Sequence, residues 1–223
     1  MTRIKICGLT REEDIESVNR YRPEYAGFVF YPASHRYVTV ERALQLRKRL
    51  DESIEPVAVF LDATEEEIAA PVVAGVARIV QLHGRLTNCD IDRIRQMLPE
   101  GTQIIQALKV RSAEDIAAAN ASAADRILLD NGLGGTGESF DWSLLSGIRR
   151  DFFLAGGLKP ENVREAIMVA RAAVNAQDAA VRDAESNRAA IPWAVDVSSG
   201  VETGKQKDEA KIRAFCEQVR ACR

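Results

Sequence analysis

The feature of this sequence that most constrains its fold is a regular alternation of short apolar runs with amphipathic segments. Eight runs of four to seven residues each resemble β-strands, and a segment with helical periodicity and a polar capping residue follows each of them. This alternation is typical of a parallel sheet whose strands are joined by helices. The predicted strands are Ile4 to Cys7, Gly27 to Phe30, Val57 to Phe60, Ile79 to His83, Ile104 to Val110, Arg126 to Asp130, Phe152 to Ala155 and Ala194 to Ser198.

The chain length fits eight such units closed into one barrel. The 223 residues give about 28 residues a unit, close to the ~30 residues of a strand-helix-strand repeat. An open doubly wound sheet is the alternative, but no strand is followed by a GxGxxG or GxxxxGK phosphate loop. We therefore predict an α/β fold, a single (βα)8 TIM barrel of eight parallel strands that spans residues 1–223 as one domain.

Several connecting helices have recognisable ends. Thr10 to Tyr21 opens with Thr-Arg-Glu-Glu, a capping-box pattern, and Thr39 to Leu50 has an apolar helical periodicity. Thr64 to Val73 has three glutamates in its first turn, and Asp208 to Arg220 begins acidic and ends basic, so both charge patterns favour the helix dipole.

The connection between the seventh and eighth strands is unusually long. It includes Pro160 to Ala190, and its part from Ala170 to Ala190 is rich in alanine, which favours helix without supplying much apolar surface. We predict an elongated helix whose far end protrudes into solvent, with a partner-binding arm as the alternative.

Composition and charge exclude several classes of protein. The chain is 46% hydrophobic, enough for a sizeable core, and its formal net charge of −3 provides no basic field for nucleic acid. The first residues lack the pattern of a signal peptide, and no apolar run reaches the ~20 residues of a membrane span, so we expect a soluble cytoplasmic protein with no membrane partner. Four cysteines without CxxC spacing and only two histidines predict neither a disulfide framework nor a metal site.

In a barrel of this kind the chemistry lies at the carboxyl ends of the strands. Polar or reactive side chains end several of the predicted strands here, and a functional role is therefore open to each of them. They are Cys7, Gln81, His83, Asp130, Asp196 and Ser198.

Two of these residues suggest acid–base chemistry. Cys7 ends the first strand, and cations such as Lys5, on the same side of that strand, can lower the pKa of a thiol. Asp130 ends an otherwise apolar strand, where partial desolvation would favour the protonated form that a proton donor needs. The alternatives are a small buried cysteine and an aspartate that anchors the Asn131-Gly132 turn.

Other positions suggest ligand binding. Gly156-Gly157 and Ser198-Ser199-Gly200 follow the last two strands, where backbone N–H groups of such barrels bind phosphate. Arg36 could pair with a carboxylate or phosphate through two hydrogen bonds. Gln81 and His83 share a strand face and would line the interior, with a purely structural histidine as the alternative. Gly134 to Gly137 could close over a ligand or be an ordinary flexible loop.

Taken together, seven segments resemble the phosphoribosylanthranilate isomerases of tryptophan biosynthesis in their order and spacing. They are KICGLT, GFVFYPASHRY, VQLHG, LLD, GGTG with FDW, AGGLKPENV and AVDVSSGVE, within residues 3–215. The resemblance implies a (βα)8 barrel that needs no metal or organic cofactor. It also implies a small phosphorylated substrate, N-(5′-phosphoribosyl)anthranilate, which an Amadori rearrangement converts to 1-(2-carboxyphenylamino)-1-deoxyribulose 5-phosphate.

The resemblance also implies a role for each matching residue. Asp130 would be the general acid that protonates the furanose oxygen, Cys7 as thiolate would be the base that takes the C2′ proton, and Arg36 would face the anthranilate carboxylate. Positions that match the family's phosphate site are Gly156, Gly157, Ser198, Ser199 and Gly200. Gln81, His83 and Asp196 match positions that line the active-site mouth.

The sequence departs from the family pattern in two places. Glu138 and Ser139 stand where the family usually has a basic residue and a threonine, which bears on the loop after the sixth strand. The long alanine-rich stretch replaces a short connection, which bears on assembly, so monomer and homodimer both stay open.

Two other functions compete with this interpretation. The sister sugar isomerase of histidine biosynthesis uses a similar barrel, but it would have an aspartate at position 7 and a second phosphate site. A barrel that only binds phosphorylated metabolites would not need Cys7 and Asp130.

Overall fold

A computed structural model describes residues 1–130, 142–178 and 192–222. All eight predicted strands form, and they close into a parallel barrel in chain order, with the eighth strand paired to the first. The predicted barrel is thus confirmed, and the open doubly wound sheet is excluded. The strands are β1 (Arg3–Cys7), β2 (Tyr25–Val29), β3 (Glu55–Leu61), β4 (Ile79–His83), β5 (Gln103–Lys109), β6 (Arg126–Asp130), β7 (Phe152–Ala155) and β8 (Pro192–Val197).

Strand boundaries differ from the predictions by up to two residues. The bounds of β4, β6 and β7 match, whereas β2 begins two residues early because Tyr25 and Ala26 already pair with Lys5 and Ile6 of β1. β8 ends at Val197, so Ser198 lies just beyond the strand instead of ending it.

Helices connect the strands around the outside of the barrel. They are α1 (Glu12–Tyr21), α2 (Val40–Arg47), α3 (Glu65–Val73), α4 (Asn88–Met97), α5 (Ala113–Ala121), α6 (Val163–Asp178) and α7 (Glu209–Ala221). Short 3₁₀ helices cover Trp142–Gly147 and Ser199–Val201, and a small hairpin, β9 (Glu202–Thr203) with β10 (Gln206–Lys207), leads into α7. In the described ranges, no helix combines the length and the apolar character that crossing a bilayer requires.

Three of the predicted helix starts are confirmed, and one is wrong. Thr39, Thr64 and Asp208 each cap a helix with a side-chain oxygen. α1 begins at Glu12, not at Thr10, because the Asp14 carboxylate accepts hydrogen bonds from the backbone N–H groups of both Thr10 and Arg11 (2.9 and 3.0 Å). Because this carboxylate satisfies both backbone donors, the N-cap of α1 is Arg11, one residue after the predicted Thr10.

The predicted long helix is described only in part. α6 runs from Val163 to Asp178, after a turn in which Asn162 accepts a hydrogen bond from the backbone N–H of Lys159 (2.8 Å). Residues 179–190, the predicted far end, lie outside the described residues, as does the predicted loop at residues 134–137.

Apolar side chains form two separate cores. The larger core lies between barrel and helices and includes Ile4, Ile6 and Phe28, while the smaller one fills the barrel interior. At the amino end of that interior the rings of Tyr25 and Phe153 lie 5.3 Å apart. This aromatic packing fills the amino end of the barrel, whereas Gln81, His83 and Asp196 lie toward its carboxyl end.

Candidate functional site

A cavity of about 440 Å³ lies at the carboxyl ends of the strands. Every residue predicted for the site lines this cavity except Gly200. The predicted residues in its wall are Cys7, Arg36, Gln81, His83, Asp130, Gly156, Gly157, Asp196, Ser198 and Ser199. Closure of the barrel therefore assembles the site from segments far apart in sequence.

Strand alternation places Cys7 and Lys5 together in the interior. Ile4 and Ile6 face the outer core, so the residues between and after them face inward. Lys5 is fully buried and pairs with Asp196, whose Oδ1 lies 2.9 Å from Lys5 Nζ. Asp196 is also the direct ladder partner of Lys5 between β1 and β8. The ion pair is thus a direct result of barrel closure.

The pKa of Cys7 is raised, contrary to the expected lowering. Burial raises the pKa of the thiol, Lys5 counteracts it, Asp196 reinforces it and Lys207 counteracts it again. Burial wins because much of the charge of Lys5 is already offset by Asp196. Burial alone would lower the pKa of Lys5, but Asp196 and Cys7 raise it. The resting pair is therefore a thiol beside an ammonium group.

Gln81 and His83 share the interior face of β4, as predicted. Gln81 Nε2 lies 2.6 Å from His83 Nε2. Burial, followed by the charge of Lys5, lowers the pKa of His83 and keeps its imidazole neutral at pH 7, so the ring nitrogen can accept this bond. Gln81 Oε1 is buried without a hydrogen-bond partner among the described residues. This amide can accept a hydrogen bond from a ligand in the cavity.

Asp130 ends β6 at the cavity wall and is half-buried. Its carbonyl oxygen accepts a hydrogen bond from the Val110 N–H (2.9 Å), which fixes the strand end against the chain after β5. The alternative role of Asp130, as an anchor for Asn131-Gly132, falls on residues outside the described ranges.

The two glycine-containing turns pack directly against each other. A Cβ atom on Gly200 would lie 1.9 Å from the carbonyl oxygen of Leu158, so only glycine allows this contact. Across the described ranges, the backbone N–H groups of Gly157, Ser199 and Gly200 donate to no other group. Ser198 Oγ donates to the carbonyl oxygen of Cys7 (3.0 Å). The turns thus gather backbone donors next to the thiol, an arrangement that suits an anion.

Arg36 forms the predicted two-bond pairing, but with a carboxylate of the protein. Its Nε donates to Glu202 Oε1 and its Nη2 to Glu202 Oε2, both at 2.7 Å. Its Nη1 has no partner among the described residues, and Arg36 still lines the cavity. One edge of the guanidinium thus remains available to a ligand.

Sequence reasoning assigned no role to Glu202 and Lys207. The Lys207 side chain is 2% exposed, and its Nζ lies 2.6 Å from Glu202 Oε1. Glu202 ends the AVDVSSGVE segment and Lys207 follows it, but nothing local reveals that these two charged side chains become buried. Over the described ranges, no group of three or more His, Cys, Asp or Glu side chains is placed to hold a metal ion.

Comparisons with known proteins agree with this geometry. The sequence profile of the N-(5'-phosphoribosyl)anthranilate (PRA) isomerase family matches residues 4–218. The N-(5'-phosphoribosyl)anthranilate isomerase of Clostridium kluyveri is 40% identical over 222 residues, which are 99% of this chain and 98% of that protein.

Two solved structures extend the similarity to the fold. The phosphoribosyl anthranilate isomerase of Thermotoga maritima has a TM-score of 0.81 and 34% identity, covering 99% of this chain and 100% of the other. A phosphoribosyl anthranilate isomerase in complex with reduced 1-(o-carboxyphenylamino)-1-deoxyribulose 5-phosphate has a TM-score of 0.78 and 33% identity, with the same coverage.

Proposed function

The chain belongs to the N-(5'-phosphoribosyl)anthranilate isomerase family, and from this premise we propose that Cys7 and Asp130 are the base and the acid of its reaction. The protein is an isomerase of tryptophan biosynthesis that rearranges N-(5′-phosphoribosyl)anthranilate. The observation that carries the proposal is that a buried thiol and an aspartate line one cavity together with two glycine-containing turns.

Asp130 acts first in the proposed mechanism. Its carboxylic acid protonates the furanose ring oxygen while the C1′–O bond breaks and the nitrogen lone pair forms a C1′=N bond. Cys7 thiolate then takes the proton from C2′, the electrons of the C–H bond form C1′=C2′, and the π electrons of C1′=N return to the nitrogen. Tautomerisation of this enolamine gives the ketose. One acid and one base on the cavity wall are sufficient for these steps.

The proposed base requires a thiolate that is the minor form at rest. The raised pKa of Cys7 means that the thiol predominates at neutral pH. Lys5 and Lys207 both favour the thiolate, so we assign them the role of sustaining its population. A weakly populated thiolate with a high pKa is a stronger base once formed, which partly offsets its scarcity.

The two glycine-containing turns form the proposed phosphate site. They consist of Gly156, Gly157, Ser198, Ser199 and Gly200, and the backbone N–H groups of Gly157, Ser199 and Gly200 are donors that suit a phosphate dianion with no lysine required. Arg36 binds the anthranilate carboxylate through the edge that Glu202 leaves unused. The polar groups of Gln81, His83 and Asp196 line the same cavity.

We also propose that the protein acts in the cytoplasm, as a monomer or homodimer. All four cysteines are free thiols, as a reducing compartment favours. The proposed site takes every residue from one chain, so it would be complete in a monomer and in a homodimer. Light scattering after gel filtration distinguishes the two, and a mass above that of a dimer would contradict the proposal.

The test uses two aspartates that flank the same strand. Asp130 ends β6 at the cavity, whereas Asp125 precedes β6 at the opposite end and pairs with Arg95. We expect Asp130→Asn to lower kcat by about 10²- to 10⁴-fold, and Asp125→Asn to leave it within about threefold. The measurement is the loss of substrate fluorescence on conversion to product. Equal kcat in the two variants would remove Asp130 from the mechanism.

A further inference from the structure

Glu202 is a buried carboxylate held by two cations at the edge of the cavity. Its side chain is 7% exposed, and it accepts hydrogen bonds from Arg36 and from Lys207. His35 Nε2 lies 3.6 Å from the same group. The acid–base chemistry proposed for Cys7 and Asp130 gives this carboxylate no task, so its burial needs another explanation.

The position of Arg36 places this cluster next to the proposed base. A Cβ atom on Gly8 would lie 2.3 Å from Cδ of Arg36, so the stem of Arg36 crosses the residue that follows Cys7. Gly8 also has a φ of +82°, which favours glycine independently. The guanidinium is therefore confined between the end of β1 and Glu202.

The hairpin of β9 and β10 fixes Glu202 in place. Lys207 is its direct cross-strand partner, and Lys207 Nζ also donates to the carbonyl oxygen of Ser198 (3.0 Å). Lys211 Nζ donates to the carbonyl oxygen of Glu202 (2.6 Å), and Arg11 Nη2 donates to that of Lys207 (3.0 Å). Glu202 is thus tied to α7, and Lys207 is tied to the residue before α1 and to the turn after β8.

The charge state of the cluster is fixed as well. Burial alone would raise the pKa of Glu202, but the bonds from Arg36 and Lys207 lower it to about 2. Glu202 is therefore ionised throughout the neutral range. A permanently charged carboxylate that occupies Nε and one hydrogen of Nη2 sets the plane of the Arg36 guanidinium.

We propose that Glu202 is a positioning residue that presents the free edge of Arg36 to the carboxylate of the substrate. Nη1 and the second hydrogen of Nη2 form an edge that binds a further carboxylate through two bonds. Lys207 acts through Glu202, by holding it against the Ser198 turn. The inference rests on the proposed role of Arg36 and adds that selectivity for a carboxylated amine depends on Glu202.

The test compares two substrates in the full-length protein. One is N-(5′-phosphoribosyl)anthranilate, and the other is the matching aniline derivative, which lacks the carboxylate. For Glu202→Gln we expect KM for the carboxylated substrate to rise about tenfold to a hundredfold, the usual cost of lost charged hydrogen bonds, with kcat within about threefold. For the aniline derivative we expect kcat/KM to stay within about twofold.

The matched control is Lys205→Met, an exposed lysine in the same hairpin, which should change neither substrate's KM. Three results would overturn the inference: an equal loss for both substrates, an unchanged KM for the carboxylated one, or a lower KM, which would mean that Glu202 competes with the substrate. Arg36→Met tests the proposed role of Arg36 separately from that of Glu202. If that variant leaves KM unchanged, the proposed role of Arg36 fails as well, whereas a raised KM confines the failure to Glu202.

A double variant keeps the inference testable if Glu202→Gln does not fold. Arg36→Met with Glu202→Gln removes the cation that Glu202→Gln alone leaves without a carboxylate, and the glutamine side-chain oxygen can still accept a hydrogen bond from the buried Lys207 Nζ. Because Glu202 acts through Arg36, we expect the double variant to have the same KM as Arg36→Met alone. A further rise in KM would show that Glu202 acts independently of Arg36.

Discussion

The same strands line the two ends of the barrel interior with different chemistry. At the amino end, Tyr25 of β2 packs against Phe153 of β7, and Trp193 of β8 donates from Nε1 to Tyr25 Oη (3.2 Å). At the carboxyl end, the inward-facing residues of β7 and β8 are small or titratable and include Ala155 and Asp196. On these strands, the residues that pack the amino end and those that line the cavity are thus only a few positions apart.

This comparison shows how the barrel combines stability with reactivity. The amino end fills space with large rings, and the guanidinium carbons of Arg3 and Arg126 lie over the Trp193 ring, 3.6 and 4.2 Å from its centroid. The carboxyl end leaves a cavity and accepts the cost of buried charges such as Lys5. Substitutions at the two ends should therefore affect different measured quantities.

The largest effect on stability is expected at the amino end. Phe153 is fully buried in the interior core, so Phe153→Ala should lower the free energy of unfolding by about 3–5 kcal/mol through lost burial and a new cavity. The kcat of the folded protein should stay within about threefold. Urea unfolding and assays well below the transition measure both quantities. A large loss of kcat at unchanged stability would contradict the claim that the amino end contributes to stability and not to catalysis.

A smaller effect is expected on the reactivity of Cys7. Because burial raises its pKa, the rate of Cys7 alkylation by iodoacetamide should keep rising with pH beyond the ordinary thiol value of about 9. Lys5→Met should move this rise further into the alkaline range, since Lys5 lowers the pKa of Cys7. Peptide mass spectrometry follows Cys7 separately from the exposed Cys89. A midpoint below the ordinary value would contradict the account.

The smallest effect is expected from the polar edge of the amino-end packing. Trp193→Phe removes the hydrogen bond to Tyr25 and weakens the stacking of Arg3 and Arg126, which together should lower the unfolding free energy by about 1–2 kcal/mol. kcat/KM should be unchanged. Thermal unfolding followed by circular dichroism provides the measurement, and a changed kcat/KM would show that the two ends are coupled.

The sequence was sufficient to predict the fold because strand alternation and helix caps depend on residues that are close together in the chain. Strand alternation placed Lys5 and Cys7 inside, and side-chain caps at Thr39 and Thr64 marked helix starts. The cap of α1 was missed by one residue because the threonine pattern ignores the stronger acceptor at Asp14.

The site was predicted less completely because burial is a property of the folded chain. The direction of the Cys7 pKa shift depends on how far burial outweighs nearby cations, which the order of residues does not reveal. Glu202 and Lys207 become buried only when the hairpin after β8 folds onto the cavity edge. The residue roles beyond these contacts stay predictions.

The measurement that tests the central claim most directly compares two buried cysteines, one at the cavity and one in the outer core. Cys7 lines the cavity, whereas Cys216 of α7 packs against the outside of the barrel. We predict that Cys7→Ala lowers kcat by about 10²- to 10⁴-fold while its affinity for reduced 1-(o-carboxyphenylamino)-1-deoxyribulose 5-phosphate stays within about threefold, and that Cys216→Ala leaves kcat unchanged. A Cys7→Ala variant that retains the wild-type kcat would contradict the account.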